Sequence, residues 1–163
     1  MSRNDYPPVK VGLIGLGTVG GGVTRVLARN AGEISRRAGR EIIITHAAAR
    51  SLDTIIANTA GMKLTGEALE VVDDPEVTII VELMGGYEPA RSLVLRALEN
   101  GKHMVTANKA LIARHGNEIF AAAHAAERMV GFEAAVAGGI PIIKAIREGL
   151  AGNRIEWVAG IIN

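Results

Sequence analysis

An α/β fold, built on a doubly wound, mostly parallel sheet with helices on both faces, follows from three observations. Short apolar runs alternate with helix-length segments from residue 9 onward. The first run leads straight into a glycine-rich turn, Gly15-Leu16-Gly17-Thr18-Val19-Gly20, and a helical pattern follows it. The chain holds 20 glycines and is 48% apolar, which suits tight strand-to-helix turns around a packed interior.

Residues 1–8 read as a loose, flexible leader, and residues 9–163 as one domain. Val9 to Ile14 forms the first strand. Val19 to about Arg29 is a helix with Val19, Val23, Val26 and Leu27 on one face. Residues 32–39, with Arg36, Arg37 and Arg40 nearby, read as a solvated basic turn. Glu41 to Ala49 is the second strand. Residues 51–68 carry little pattern beyond a short helix near 52–58, and Val71-Val72 reads as a brief strand. Asp73-Asp74-Pro75 marks a turn.

Val77 to Glu82 is a buried strand that Gly85-Gly86 breaks. Glu82 at its end has two readings, a carboxylate bonded to local amides or a functional group. Glu88 to Glu99 is a helix with Pro89 in its first turn, ended by Gly101. His103 to Thr106 is a strand. Lys109 to Ala126 is a helix interrupted near Gly116. Met129 to Glu133 is a strand, Pro141 to Leu150 a helix, and Arg154 to Ile162 a last strand.

The bulk numbers exclude several function classes. A net charge of +1 and 3% aromatic residues provide neither the basic surface nor the stacking platform that nucleic acid requires. With no cysteine there is no disulfide, thiolate metal site or cysteine nucleophile, in keeping with a reducing cytoplasm. No apolar run reaches 18 residues, and the start of the chain has no signal-peptide core. The expected partners are therefore small molecules, with no nucleic acid and no membrane. His46, His103, His115 and His124 have no metal-ligand spacing; the first two read as packed or edge residues, the last two as solvated helix positions.

Strand, then Gly15-x-Gly17-x-x-Gly20, then helix is the context that a dinucleotide-binding, Rossmann-type sheet requires. Gly15 permits the turn, Gly17 lets a pyrophosphate approach the backbone, and Gly20 lets helix and strand pack. The amides of residues 18–20 and the helix dipole favour an anion. An acid ending the second strand would select NAD. This strand ends instead in Ala49-Arg50-Ser51, where Arg50 suits the 2′-phosphate of NADP, with NAD as the alternative. Lys109, just after a later strand, brings a proton-capable group to the edge where such sheets bind ligands.

Four further segments carry a resemblance: Val81-Glu82-Leu83-Met84-Gly85-Gly86, Thr106-Ala107-Asn108-Lys109-Ala110-Leu111, Phe132 to Ile143, and Gly160-Ile161-Ile162-Asn163. With the glycine loop, they make residues 9–163 resemble the nucleotide-binding domain of homoserine dehydrogenase. The resemblance implies NAD(P)-dependent interconversion of L-homoserine and L-aspartate 4-semialdehyde, in the biosynthesis of threonine and methionine. It implies that Leu16, Gly17, Thr18 and Val19 hold the pyrophosphate and that Met84, Gly85 and Gly86 pass the nicotinamide-side ribose. Thr106 and Lys109 would face nicotinamide and substrate, with Lys109 at the reacting oxygen as the catalytic group. Glu133, Val136, Gly138 and Ile140 would hold a structural monovalent cation such as Na⁺, largely through backbone oxygens; a plain glycine turn capping the next helix is the alternative.

The family continues beyond a segment like Gly160 to Asn163 into a substrate and dimerisation region, with acidic substrate grips and a second lysine. The 163 residues are therefore expected to bind nucleotide with little or no turnover, and the full-length enzyme to be a homo-oligomer. Met1 opening directly onto the cofactor domain suggests no fused kinase upstream. Two other readings stand beside this one: the cofactor domain of a different small-molecule oxidoreductase, and a non-catalytic nucleotide sensor.

Overall fold

The computed structural model describes residues 6–51 and 59–160. Six strands form one all-parallel sheet: β1 (Val9–Ile14), β2 (Ile42–Ala48), β3 (Lys63–Thr65), β4 (Ile79–Glu82), β5 (His103–Thr106) and β6 (Val130–Gly131). Their order is β3-β2-β1-β4-β5-β6. From β1 the chain winds outward through β2 and β3, then returns to β1's other side for β4 to β6. The sheet therefore reverses direction between β1 and β4, the place where open α/β sheets leave a crevice at their carboxyl ends.

The helices are α1 (Thr18–Arg29), α2 (Ala31–Ala38), α3 (Ala68–Asp73), α4 (Ala90–Glu99), α5 (Lys109–Ala125) and α6 (Ile142–Lys144), the last running on as a π-helical turn over Ala145–Gly149. They divide the core in two. On one face α3, α4 and α5 bury Val71, Leu93, Val94, Leu98, Leu111 and Ile119 against Ile80 and Met104. On the other, Val23 and Leu27 of α1 pack towards Val11, Leu13, Ile44 and Ala47. Parallel strands covered on both faces need apolar side chains pointing both ways, which explains the continuous apolar runs of β1 and β4.

Gly12 shows how closely these layers meet. A Cβ there would lie 2.6 Å from Val71 Cγ1 and 2.8 Å from Ile80 Cδ1, so α3 rests on β1 only because that strand position is bare.

Several elements differ from the sequence reading, each for a physical reason. Val19 and Val26 are 55% and 45% exposed, whereas Gly20, Gly21 and Thr24 are buried. Gly20 must face the strand, and this sets the rotation of α1 and turns those valines outward. Residues 31–38 are helix rather than basic turn: Glu33 pairs with Arg36 at 2.6 Å and Arg37 at 2.7 Å, one turn away, and Gly39 closes the helix at φ 75°.

Val71-Val72 belongs to helix α3, not to a strand, and both side chains are fully buried. The strand of that region is β3, three residues long and without a period to read. Helix α5 runs through Gly116 without interruption. An added Cβ there would come within 3.3 Å of the Phe120 ring, so this glycine serves packing. Only Val130–Gly131 of the 129–133 segment pairs, and Glu133–Ala135 forms a 3₁₀ turn. The expected last strand is absent from its described part, since residues 154–160 are exposed without regular structure and Trp157 and Val158 are 78% and 70% accessible. A strand needs a neighbour's ladder, and among the described residues none pairs with this segment. The helix expected near 52–58 lies outside the described residues. Among the described residues no helix is long and apolar enough to cross a membrane.

Candidate nucleotide-binding site

Beyond Ile14 the chain turns away from β1 at Gly15, whose φ of 107° is a left-handed conformation that a side chain would strain. A Cβ on Gly15 would also meet the Leu83 carbonyl oxygen at 2.9 Å. The Gly15 amide donates to the Ala48 carbonyl at 2.9 Å, tying the loop to the end of β2. A Cβ on Gly20 would fall 2.0 Å from the Gly15 carbonyl oxygen, an impossible contact, so the helix can start this near the strand only with glycine. Gly17 differs: nothing lies within 4 Å of its missing Cβ. Its bareness leaves open space at the helix start rather than satisfying a contact inside the protein.

Gly17 is also the N-cap of α1. It has no side chain to accept from the first-turn amides, and no acid stands in that turn. The amides of Thr18, Val19 and Gly20 therefore lack a local counter-group, and the positive end of the helix dipole is left for an external anion. Leu16 is buried beneath the loop, while Thr18 and Val19 are exposed.

A cleft of about 1100 Å³ opens there, on the scale of ligand sites. Gly15, Leu16, Gly17, Arg50, Met84 and Gly85 line it, drawn from the ends of β1, β2 and β4. Three of the sequence-predicted groups therefore share one wall system. Arg50 is exposed at the rim. Sequence reasoning missed the far side, where Gly66, Glu67 and Leu69 follow β3; a three-residue strand gave no signal for it.

The second half of the site is a hydrogen-bonded brace. Glu82, at the end of β4, is fully buried. One carboxylate oxygen, Oε1, accepts from the Met84 amide at 2.7 Å and from the Gly85 amide at 3.3 Å. The other, Oε2, accepts from the Thr106 hydroxyl at 2.6 Å. That hydroxyl accepts in turn from the Asn108 amide at 3.0 Å. The Asn108 side chain donates through Nδ2 to the Gly86 carbonyl at 2.7 Å and accepts through Oδ1 from the Leu111 amide at 3.1 Å, capping α5. The loop after β4 and the turn after β5 are thereby joined.

Gly85 and Gly86 sit at φ 76° and 77°, so the loop curls back over the brace. Thr106 is buried and its hydroxyl is engaged within the protein, leaving its backbone as the part of it that can meet a ligand. Lys109 is exposed as the first residue of α5, one residue beyond that cap. Asn108 was legible in the sequence as part of a motif, but its role as the tie between two loops was not.

Glu133, Val136, Gly138 and Ile140 lie apart from the cleft, after β6. The Glu133 carboxylate accepts from the Ile143 amide at 2.9 Å and the Lys144 amide at 3.0 Å, holding the start of α6. Its own carbonyl accepts from the Val136 amide at 3.3 Å. Ala137 and Gly139 adopt positive φ of 48° and 85°, which folds the segment into a tight turn. Among the described residues no group of three or more His, Cys, Asp or Glu side chains could hold a metal ion, so any cation there would depend on backbone oxygens.

A second depression, about 770 Å³, lies at the opposite, amino end of β4 and β5. Its cations already have protein oxygens. Lys102 is buried and its ammonium donates to the carbonyls of Asp74 and Val77, with burial pushing its pKa down. Arg96 forks onto Asp73 at 2.9 and 3.2 Å, and Arg128 donates to the carbonyl of Gly101 at 2.5 Å. These contacts fasten the β4–α4–β5 corner.

Residues 15–133 match a family model described as the NAD binding domain of homoserine dehydrogenase. Over 156 residues the chain is 61% identical to a homoserine dehydrogenase of Pseudomonas aeruginosa, covering 96% of this chain and 36% of that protein. Among solved structures it resembles a homoserine dehydrogenase from Thiobacillus denitrificans, with 66% identity and a TM-score of 0.88 over 93% of this chain and 35% of that one. It also resembles the S. aureus homoserine dehydrogenase at pH 7.5, with 36% identity and a TM-score of 0.75 over 82% of this chain and 33% of that one. The chain spans about a third of the length of the relatives it matches.

Proposed function

Because the chain belongs to the homoserine dehydrogenase family through its NAD-binding domain, we propose that it is the cofactor domain of an enzyme interconverting L-homoserine and L-aspartate 4-semialdehyde. One observation supports this reading most: an uncapped helix start, a bare Gly17 and a cleft coincide at the point where the sheet reverses direction. The residues fit a dinucleotide. Backbone amides of residues 17–20 would bind the pyrophosphate, and Met84 to Gly86 would run beside the nicotinamide-side ribose. The bound nicotinamide supplies the hydride chemistry.

The protein's own share is placement and proton handling. Lys109 would hydrogen-bond the oxygen that is carbonyl in the semialdehyde and hydroxyl in homoserine, donating in one direction and accepting in the other. Glu133, with the backbone oxygens of Val136, Gly138 and Ile140, would hold a monovalent cation that fixes the β6–α6 turn. At a third of its relatives' length the chain would bind nucleotide with little or no turnover, the substrate's remaining contacts lying in the longer enzyme, which we take to be a cytoplasmic homo-oligomer.

Arg50 at the cleft rim, with no acid ending β2, favours NADP over NAD. Titration of NADPH and NADH onto the chain tests both cofactor and preference. Arg50→Ala should weaken NADPH by about tenfold, the loss of one charge-assisted contact, and leave NADH unchanged. Equal loss for the two cofactors would remove Arg50 from the 2′-phosphate, and no binding of either would remove the cofactor reading itself.

A further inference from the structure

We propose that Glu82 is a positioning residue of the reaction, locking the nicotinamide-side loop and the Lys109 turn into one body. The inference rests on the cofactor reading above. A carboxylate with 0% exposure is costly to bury, and it persists in folded proteins where its oxygens are satisfied. Glu82 meets this condition with three donors: the Met84 and Gly85 amides and the Thr106 hydroxyl. Met84 and Gly85 line the cleft, and Thr106 ends β5 in the buried layer beside them.

The connections form a closed path. From Glu82 it runs to Thr106, from Thr106 to the Asn108 amide, and from the Asn108 side chain back to the Gly86 carbonyl. Gly85 and Gly86 have the least intrinsic stiffness of any residue type, so they would wander without the brace. Neither β4 nor β5 supplies a backbone hydrogen bond that reaches Gly86; the Asn108 side chain does, through Nδ2. Removing the Glu82 carboxylate would take the acceptor from the Met84 and Gly85 amides and from the buried Thr106 hydroxyl together and free the loop from the turn. The groups meeting the adenosine and pyrophosphate halves, Gly15 to Gly20 and Arg50, lie outside this path.

The experiment compares two ligands on the 163-residue chain: NADPH, and adenosine 2′,5′-bisphosphate, which has no nicotinamide half. Glu82→Ala should weaken NADPH by about tenfold while the bisphosphate stays within about twofold. Glu82→Gln keeps an acceptor for the two amides and should return NADPH to within about threefold of wild type. Thr106→Val is close in volume, so it keeps the fold if Glu82→Ala does not, and it should weaken NADPH several-fold with the bisphosphate unaffected. A general loss of packing would weaken both ligands alike. Equal weakening of both, or an unchanged affinity ratio in Glu82→Ala and Thr106→Val, would overturn the proposal. A wild-type chain that binds neither ligand would overturn the cofactor reading, and this one with it.

Discussion

Lys109 occupies a position that helix energetics alone does not favour. It is the first residue of α5, beside the positive end of the helix dipole, where a cation is mildly destabilising. Asn108 already caps the helix through the Leu111 amide, so the ammonium contributes nothing to the cap. Among the described residues no carboxylate pairs with it. A charge kept exposed in an unfavourable place, one residue beyond the Asn108 cap, is what a proton-handling role would require. In the longer enzyme carrying this domain, Lys109→Ala should lower kcat by about 100-fold or more while NADPH affinity stays within about twofold. A loss of affinity as large as the loss of kcat would make Lys109 a cofactor anchor instead. With these 163 residues alone, about a third of the length of the relatives, an assay with L-aspartate 4-semialdehyde and NADPH should read little or no turnover.

The β1–loop–α1 unit shows how single glycines differ in what they do. Gly20 faces the Gly15 carbonyl with no room for a Cβ, whereas Gly22, two residues on in the same helix, has nothing within 4 Å. Gly20→Ala should destabilise the chain by about 3 kcal/mol, because backbone must shift against backbone. Gly22→Ala should stabilise it by about 0.5–1 kcal/mol through helix propensity. Thermal melts of the two variants check this, and opposite signs are the expected result. The same unit explains what the sequence made legible. The Gly20 requirement arises within one short segment, so β1, the loop and α1 could be read directly. The β5 strand His103–Thr106 was legible for a similar local reason, as a short apolar run between turn signals. Elements that depend on distant partners were not. Helix α3 is defined by the bare Gly12 it rests on, nearly sixty residues away, and among the described residues no neighbour pairs with the irregular 154–160 segment. Helix α2 was hidden differently: its Glu33–Arg36 and Glu33–Arg37 pairs look, in sequence, like any charged turn.

At the scale of the whole molecule, the two ends of the sheet divide the work. The amino end is fastened: Lys102, Arg96 and Arg128 are bonded to carbonyls and to Asp73, closing the corner between α4, β5 and the end of α5. The carboxyl end is left open, with an uncapped helix, exposed Arg50 and Lys109, and a cleft between β2, β1 and β4. This asymmetry follows from the strand order, since every strand points the same way and all strand-to-helix turns gather at one edge. The candidate site was legible in sequence as far as its residue types went. Its closure through Glu82, Thr106 and Asn108 was not, because that path joins residues 24 and 22 positions apart through side chains. We propose above all that this carboxyl edge binds NAD(P). It is tested most directly by recording backbone amide NMR shifts of the 163-residue chain during titration with NADPH. Saturable shifts are expected at Gly15 to Gly20, Arg50 and Met84 to Gly86, with the amino-end corner around Lys102 and Arg128 unmoved. Shifts centred on that corner, or none at millimolar NADPH (on the order of the weakest specific affinities), would contradict it.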